Sequence, residues 1–527
     1  MHFGTWQILR SRCTNQQNAA TARNIINFTI AVDIKIMQWN IRGFSSHFPH
    51  LQQALDTLHP NVVCLQETFL KPKNNPKLRN FQSSPARKDR ANREGGGVII
   101  FVQFPLPYVT IDIPINLEIT AVQIFLKKSN LTICNIYLPP DHNNATLKED
   151  LCSLLTFLPQ PFIITTDCNA HHPSWGSDRA DKRGKIINTW ISDNNLCILN
   201  SSEPTYISAS GSFTHIDITI ATYDIATRFS WHPHFESFNS DHFPINISSN
   251  LSLNISESPR RWKLNSANWE KYQNSLQIPT EYSSPTLACE EVTKAIITAA
   301  NSSIPVTSGQ TNKLKYSNCW WNKECADARK AKNKALSKYR NHQGDIKLWI
   351  IYKKAKAIFQ HTVIDAKKKS WKNFVSGLTC RTGATEIWDK VKMINGCNPK
   401  RAIVLFNEGK FEADSQEITE VMVKHFSKKS NGLSTDSIFM LHKQQAESIP
   451  ITFPVGGNEF YNSSFNITEL KQAVASAKSK APGPDQIPFS FIQHLTSEQE
   501  LQLLSFYNYL FIYGFPQQWR EAIIIPI

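Results

Sequence analysis

The chain has 527 residues, more than one hydrophobic core usually supports, so we expect two or three folded units. Its formal charge of +14 indicates a polyanionic partner, because 17 Lys and Arg residues but only 4 Asp and Glu residues lie between positions 313 and 372. Eleven scattered cysteines without a zinc-binding spacing, and the lack of an apolar stretch as long as a membrane span, argue against a secreted or membrane-spanning protein.

The first part of the chain predicts a leader and then a layered α/β domain. Residues 1–33 precede the first regular pattern and predict a leader without regular structure. Over residues 34–254, short apolar runs alternate with polar stretches suited to helices, which is typical of an α/β domain. A Ser- and Asn-rich stretch at 248–258 indicates a linker at its end. The predicted strands are residues 34–39, 62–66, 97–103, 119–126, 131–137, 162–167, 197–200 and 213–221.

Lysine-rich helices are predicted next. The stretches 325–339 and 348–374 carry apolar residues at helical spacing, and we predict a helical basic linker over residues 255–460. A charged helix face is often only solvated, but the one-sided charge favours nucleic-acid binding. A last segment, 461–527, begins with a helix N-cap pattern and contains a proline-stiffened loop. The candidate contacts to nucleic acid on the helices are Lys330, Lys334, Lys367 and Lys368.

Three oxygen-bearing side chains are candidates for a metal site. Glu67 directly follows an apolar run, so its carboxylate would emerge at the end of a strand, and Asn40 offers a neutral oxygen after the first run. Asp241 is the third candidate ligand. Oxygen ligands of this kind suit Mg²⁺, with Mn²⁺ as the alternative.

A second set of side chains suits acid–base work on a phosphodiester. Asp167 and Asn169, alternate residues in one loop, would orient or deprotonate water and donate to a phosphate. His242, with Asp217 as an orienting carboxylate, would donate to a phosphoryl oxygen or act as an acid. Each residue taken singly has an ordinary structural role. Their order at successive strand ends favours a site that cuts phosphodiesters with a hard metal ion.

The adjacent residues His171 and His172 are poor partners for one metal ion. Neighbouring side chains on a strand-like segment point apart, so we expect a local structural role or a contact to DNA. His171 and Thr205 are therefore further candidate contacts to nucleic acid.

These segments resemble the endonuclease/exonuclease/phosphatase superfamily over residues 34–247. Thr166-Asp167-Cys168-Asn169 stands where that superfamily usually has Gly-Asp-Phe-Asn. The resemblance implies a four-layer α/β sandwich, with Asn40 and Glu67 at the metal ion and Tyr137 near the phosphate. It places Asp167 and Asn169 at the attacking water, and its late acid–histidine set consists of Asp217, Asp241 and His242.

Other motifs resemble the endonucleases of arthropod non-LTR retrotransposons of the jockey type. In that family the endonuclease nicks chromosomal DNA and leaves a 3′-hydroxyl that primes reverse transcription. The segments 320–325 and 480–488 resemble the linker and the start of the reverse transcriptase of these elements. The motifs that carry the likeness are His171-His172-Pro173-x-Trp175-Gly176, Arg183-Gly184, Pro204-Thr205 and Ile216-Asp217-Ile218-Thr219.

The resemblance implies a Mg²⁺-dependent DNA endonuclease that acts in the nucleus and otherwise resides in the cytoplasm. Its partners would be target DNA and, through the basic linker, the RNA of the element, with no membrane partner. We expect no polymerase activity, because only the opening of the reverse transcriptase region, residues 461–527, is present. The alternatives are a catalytically dead nucleic-acid-binding relic of a retroelement and an inositol-phosphate phosphatase, since that class shares the same polar set.

Overall fold

The structure of the chain is a computed structural model. Its described residues form two compact units, one within Met1–Ser256 and Lys313–Ser434, the other within Glu257–Asn312 and Thr435–Ile527. The predicted leader up to residue 32 and parts of the 480–488 loop lie outside the described residues. The structure describes residues 33–82, 84–90, 94–126, 129–252, 261–307, 320–378, 383, 387, 402–430, 436–450, 463–476, 482–483 and 485–520.

The secondary structure follows the predicted change from strands to helices. No helix among the described residues is long and apolar enough to cross a membrane. The strands are β1 (Asp33–Asn40), β2 (Val62–Gln66), β3 (Ala86–Lys88), β4 (Val98–Val102), β5 (Tyr108–Ile111), β6 (Glu118–Phe125), β7 (Asn130–Tyr137), β8 (Phe162–Asp167), β9 (Leu196–Ile198), β10 (Tyr206–Ile207), β11 (Phe213–Thr214), β12 (Asp217–Thr222), β13 (Phe229–Pro233), β14 (Ile245–Ser252), β15 (Leu405–Asn407) and β16 (Lys410–Glu412). The α-helices are α1 (Phe44–Leu58), α2 (Leu147–Leu155), α3 (Lys182–Asp193), α4 (Tyr223–Ala226), α5 (Trp269–Ser275), α6 (Pro285–Ser303), α7 (Lys323–Asn341), α8 (Ile346–Ser376), α9 (Ser415–Ser430), α10 (Ser437–Ser448), α11 (Ile467–Ser476), α12 (Phe489–Gln493) and α13 (Ser497–Tyr513).

Two six-stranded sheets form the centre of the first unit. One sheet has the strand order β13-β14-β1-β2-β4-β3, and the other has the order β5-β6-β7-β8-β12-β9. β1 pairs with β2, and β7 with β8, in parallel. The ends of β1, β2, β7 and β8 are therefore the places where chain segments distant in sequence can bring side chains together.

The two sheets pack face to face, with helices on both outer faces. Along β1, Ile34 and Ile36 point into the core between the sheets, whereas Met37 and Trp39 point into the core under α1. A third core lies between the second sheet and helices α2 and α3. The order helix, sheet, sheet, helix confirms the predicted α/β sandwich.

The predicted linker at 248–258 begins too early. β14 continues to Ser252 and pairs with β1 along its length. Asn246 and Ser248 alternate with Ile245 and Ile247, which pack in the core between the sheets, and Ser249 is itself buried. The first residues of the predicted linker thus belong to a strand of the sheet.

The two lysine-rich helices, α7 and α8, form a helical hairpin that packs on the first unit, and we call it the basic hairpin. Leu336, Tyr339 and Tyr352 of the hairpin share a core with Ile207 and Phe243. The predicted linker, residues 255–460, is therefore not one continuous element, because the hairpin belongs to the first unit and residues 257–312 belong to the second.

The second unit is helical. Helices α5, α6, α12 and α13 surround one apolar core that includes Tyr272, Val292, Phe491 and Leu503. Thr496 caps α13 in a reciprocal capping box with Gln499, which satisfies two backbone N–H groups at the helix start.

Candidate active site

One row of residues across the second sheet carries three of the predicted catalytic side chains. In the strand register, Tyr137 of β7 lies beside Asp167 of β8, and Asp167 lies beside Asp217 of β12. Asn40, at the end of β1 in the other sheet, donates from Nδ2 to Asp167 Oδ2 at 2.7 Å. Four residues that are distant in sequence therefore meet at one end of the sandwich.

Side-chain amides join the two sheets just below this row. Gln38 donates from Nε2 to the carbonyl oxygens of Thr166 and Ile218, at 3.1 and 3.3 Å. Gln66 donates to Asn135 Oδ1 at 2.6 Å. The core between the sheets is thus apolar in its body and hydrogen-bonded at this end, which fixes the position of one sheet against the other under the site.

His242 and Asp217 form a buried pair beside Asp167. Nδ1 of His242 donates to Asp217 Oδ2 at 2.8 Å, and its other nitrogen, Nε2, lies 4.0 Å from Asp167 Oδ2. Burial, the largest single influence, would lower the pKa of His242, but the charge and hydrogen bond of Asp217 together with the charges of Asp167 and Asp241 raise this pKa to about 9. Burial raises the pKa of Asp167, and the negative charge of Asp217 raises it further. The site can therefore hold and exchange protons near neutral pH.

Tyr137 and Glu67 form a second hydrogen-bonded pair. The phenol of Tyr137 donates to Glu67 Oε1 at 2.7 Å. Burial and the charge of Glu67 raise the pKa of Tyr137 far above its ordinary value, so the phenol stays protonated and acts as a donor. The guanidinium of Arg90, which pairs with Glu118, lies 5.6 Å from the centre of the Tyr137 ring.

Arg42 connects all three candidate metal ligands. Its backbone N–H donates to Asn40 Oδ1 at 3.2 Å, and its Nε lies 3.8 Å from Glu67 Oε2. Its Nη1 pairs with Asp241 Oδ2. Two carboxylates thus converge on the guanidinium of Arg42, and the amide oxygen of Asn40 accepts from the backbone of the same residue. Oxygen donors of this kind fit a hard divalent cation.

A separate acidic cluster has ligand atoms close enough together for a metal site. Ligand atoms of Asp167, Asp217 and His242 lie within 4.8 Å of one another. Because Nδ1 of His242 already donates to Asp217, we interpret this cluster as the acid–imidazole pair and the Arg42-linked oxygens as the better metal site.

Asn169 and Arg183 shape the loop after β8. Asn169 has φ +48° and donates from Nδ2 to Leu138 O at 3.0 Å. The buried guanidinium of Arg183 donates to the carbonyl oxygens of Pro139 and Cys168, at 3.0 and 3.3 Å. At Gly184 a Cβ atom would lie 2.0 Å from the carbonyl oxygen of His171. The Arg183-Gly184 motif is therefore explained by packing.

The predicted contacts to nucleic acid differ in their exposure. Thr205 is fully buried, and its hydroxyl accepts hydrogen bonds from the backbone N–H groups of Ile216 and Asp217. Its predicted contact with nucleic acid is therefore corrected to a structural role at the start of β12. His171 is half-buried, and its backbone N–H donates to Asp181.

The four predicted lysines all lie on the basic hairpin. Lys330, Lys334 and Lys368 are exposed. Lys367 is half-buried with its ammonium 5.2 Å from the centre of the Trp320 ring, and burial lowers its pKa to about 8. Lys330, Lys334 and Lys368 are therefore better placed than Lys367 to contact phosphate groups.

Sequence reasoning gave no role to three residues that the structure places at or beside the site. Arg42 lies two residues after Asn40, so its place in the sequence could have indicated that it belongs to the site. The ring of Tyr206 lies 4.8 Å from that of His242 in an edge-on arrangement. Glu236, six residues before His242, pairs with the basic hairpin. Neither Tyr206 nor Glu236 belongs to a recognisable local pattern.

Comparisons with known proteins agree with this geometry. The model of the endonuclease–reverse transcriptase family matches residues 131–246. The chain is 24% identical over 518 residues to the RNA-directed DNA polymerase from mobile element jockey of Drosophila funebris, covering 94% of this chain and 54% of that protein. It is 20% identical over 520 residues to the probable RNA-directed DNA polymerase from transposon X-element of Drosophila melanogaster, covering 94% of this chain and 55% of that protein.

The chain spans about half the length of these curated relatives. Among solved structures, the endonuclease domain of TRAS1, a telomere-specific non-LTR retrotransposon, covers 41% of this chain and 99% of its own length, at 21% identity and a TM-score of 0.36. The first unit therefore contains a region, residues 131–246, that is similar to the endonuclease–reverse transcriptase family, and this region includes the acid–histidine cluster of the α/β sandwich.

Proposed function

We propose that the first unit is a metal-dependent endonuclease that cuts phosphodiester bonds in DNA. The observation that carries this proposal is the buried His242–Asp217 pair at one end of the sandwich, where Nε2 of His242 lies beside Asp167. A paired carboxylate fixes the orientation of an imidazole and favours its protonated form, which is what donation to a phosphoryl or leaving oxygen requires.

The other residues divide the remaining tasks. Asp167 accepts a hydrogen bond from Asn40 and faces His242, so it is placed to orient or deprotonate the attacking water. Tyr137, kept protonated, supplies a donor at the phosphate. Asn40, Glu67 and Asp241 would hold the metal ion. When bound, Mg²⁺ or Mn²⁺ would supply positive charge that offsets the negative charge on the phosphate oxygens.

The biological substrate that we propose is chromosomal DNA in the nucleus, nicked to provide a 3′-hydroxyl for reverse transcription. The similarity to RNA-directed DNA polymerases of mobile elements supports this role. The RNA of the element is the second proposed partner, through the basic hairpin. The excess of Lys and Arg on the hairpin supports contacts to either nucleic acid.

The first test is nicking of supercoiled plasmid by the full chain, with Mg²⁺ or with EDTA. We expect Mg²⁺-dependent relaxation, and we expect Asp167→Asn to lower its rate about 10³-fold because the amide cannot take a proton from water. A folded protein that does not nick DNA would indicate the retroelement relic. Hydrolysis of inositol phosphates without nicking would favour the phosphatase alternative.

The hairpin contact has its own test, the salt dependence of DNA affinity. Lys330→Gln/Lys334→Gln removes two exposed charges one helical turn apart, and we expect the slope of log Kd against log salt concentration to fall by about two. Lys424→Gln/Lys428→Gln on α9 is the matched control with the same spacing, and its slope should stay that of the wild type. Equal slopes in both double variants would exclude the hairpin contact.

A further inference from the structure

The loop that carries His242 depends on support from outside the sheet. Residues 235–242, which we call the His242 loop, connect β13 to β14. Phe238 and Asn239 have φ values of +45° and +78°, a region that L side chains rarely adopt. Such a conformation persists only when neighbouring structure holds it in place.

The basic hairpin anchors the start of this loop through a buried ionic network. Glu236 is fully buried, and its carboxylate accepts from Lys332 Nζ at 2.7 Å and from Asn333 Nδ2 at 2.9 Å. Arg329 Nη2 lies 2.8 Å from the same carboxylate. Lys332 is itself buried, with its ammonium over the ring of Phe359. A buried carboxylate with three donors is held in one position, because loss of a partner leaves buried charge or a buried polar atom without compensation.

A second set of contacts reaches the residues next to the site. Lys356 Nζ donates to the carbonyl oxygen of Ser240 at 3.4 Å, and Gln360 Nε2 donates to Asn239 Oδ1. Ser240 in turn donates from Oγ to the carbonyl oxygen of Asn40 at 2.9 Å and accepts from the backbone N–H of His242 at 3.2 Å. The hairpin thus connects through Ser240 to Asn40 at the end of β1 and to the backbone of His242.

We propose that the basic hairpin is a working part of the nuclease, in which Lys356 and Gln360 are positioning residues that hold Asp241 and His242 through Asn239 and Ser240. This inference rests on the proposed endonuclease function. It extends the functional nuclease beyond residue 254 to include α7 and α8, which sequence reasoning treated as a linker. A nuclease made of the sandwich alone would lack the support for its His242 loop.

The test uses the full chain with the double variant Lys356→Met/Gln360→Met, which removes both donors to the loop. Lys424→Met, at an exposed lysine on α9 outside the hairpin, is the matched control for loss of charge. The conservative single variant Lys356→Arg keeps a donor at this position and should retain most of the wild-type activity. One readout is kcat and KM for plasmid nicking. The other is hydrogen–deuterium exchange of peptides from residues 235–243, with β8 as the internal reference.

We expect the double variant to lower kcat about tenfold with KM changed less than about twofold, because DNA still binds but the imidazole is misplaced. Exchange in the His242 loop should rise about tenfold while exchange in β8 stays that of the wild type. A raised KM with an unchanged kcat would overturn the proposal and indicate that Lys356 contacts phosphate directly. Unchanged exchange in the loop would overturn it as well.

The exchange readout separates this inference from the proposed function. If the wild type does not nick DNA, the endonuclease proposal fails, whereas faster exchange confined to the His242 loop still supports the positioning contacts. If the wild type nicks DNA and the double variant matches it in kcat, the positioning role alone is overturned.

Discussion

Replacing Asp217 by asparagine is expected to lower kcat for DNA nicking about 10³- to 10⁴-fold while the protein stays folded. In the wild type, Asp217 Oδ2 accepts a hydrogen bond from His242 Nδ1 at 2.8 Å. Asn has the shape of Asp, but it brings no negative charge to this imidazole. The buried imidazole then loses the largest of the contributions that raise its pKa, and burial favours its neutral form. Nicking of supercoiled plasmid under single-turnover conditions measures the loss.

The matched control for this change is Asp224→Asn. Asp224 is exposed on α4, which follows the opposite end of β12, so its variant should keep the kcat of the wild type. Circular dichroism of both variants should overlay that of the wild type. Full activity of Asp217→Asn would exclude the His242–Asp217 pair from the chemistry.

Glu236→Gln is expected to destabilise the first unit more than any exposed substitution. The change removes the charge that compensates the buried ammonium of Lys332 at 2.7 Å, and an uncompensated buried ion costs about 3–5 kcal/mol of the free energy of unfolding. We expect the melting temperature of this unit to fall by about 5–10 °C at pH 7. Differential scanning calorimetry of the full chain measures the shift.

The destabilisation by Glu236→Gln should depend on pH. Burial alone would raise the pKa of Glu236, but the charge of Lys332 and the hydrogen bond from Arg329 lower it from 4.5 to about 2. A lowered carboxyl pKa stabilises the folded state fully above pH about 4.5, and this stabilisation of about 3 kcal/mol is lost as the pH falls towards 2. The gap in melting temperature between wild type and variant should therefore narrow between pH 4.5 and 2.

An exposed carboxylate provides the control for the pH series. Glu203 is exposed, so Glu203→Gln should melt within about 1 °C of the wild type at every pH. If the difference in melting temperature between the wild type and Glu236→Gln is the same at pH 7 and pH 2.5, the ionic origin of the stabilisation is contradicted. It would indicate that the side chain contributes by packing alone.

Much of the sandwich could be predicted because the alternation of side chains along a strand is a local property. The predicted runs 62–66 and 162–167 coincide with β2 and β8. β14 was partly mistaken for a linker because most of its residues are serine or asparagine. Which strand pairs with which, and in what register, does not follow from local alternation.

The sequence by itself determined which polar side chains are available to the site: strand-end residues such as Asn40, Glu67 and Asp167, and a late His242 preceded by an acid. Only the tertiary structure decided how these side chains come together. The register of β7, β8 and β12 places Tyr137, Asp167 and Asp217 in one row, and the pairing of Glu236 with Lys332 joins the lysine-rich helices to the rest of the first unit. The physical reason is that alternation and charge are properties of neighbouring residues, whereas strand register and buried ion pairs depend on contacts between segments about 30 to 100 residues apart.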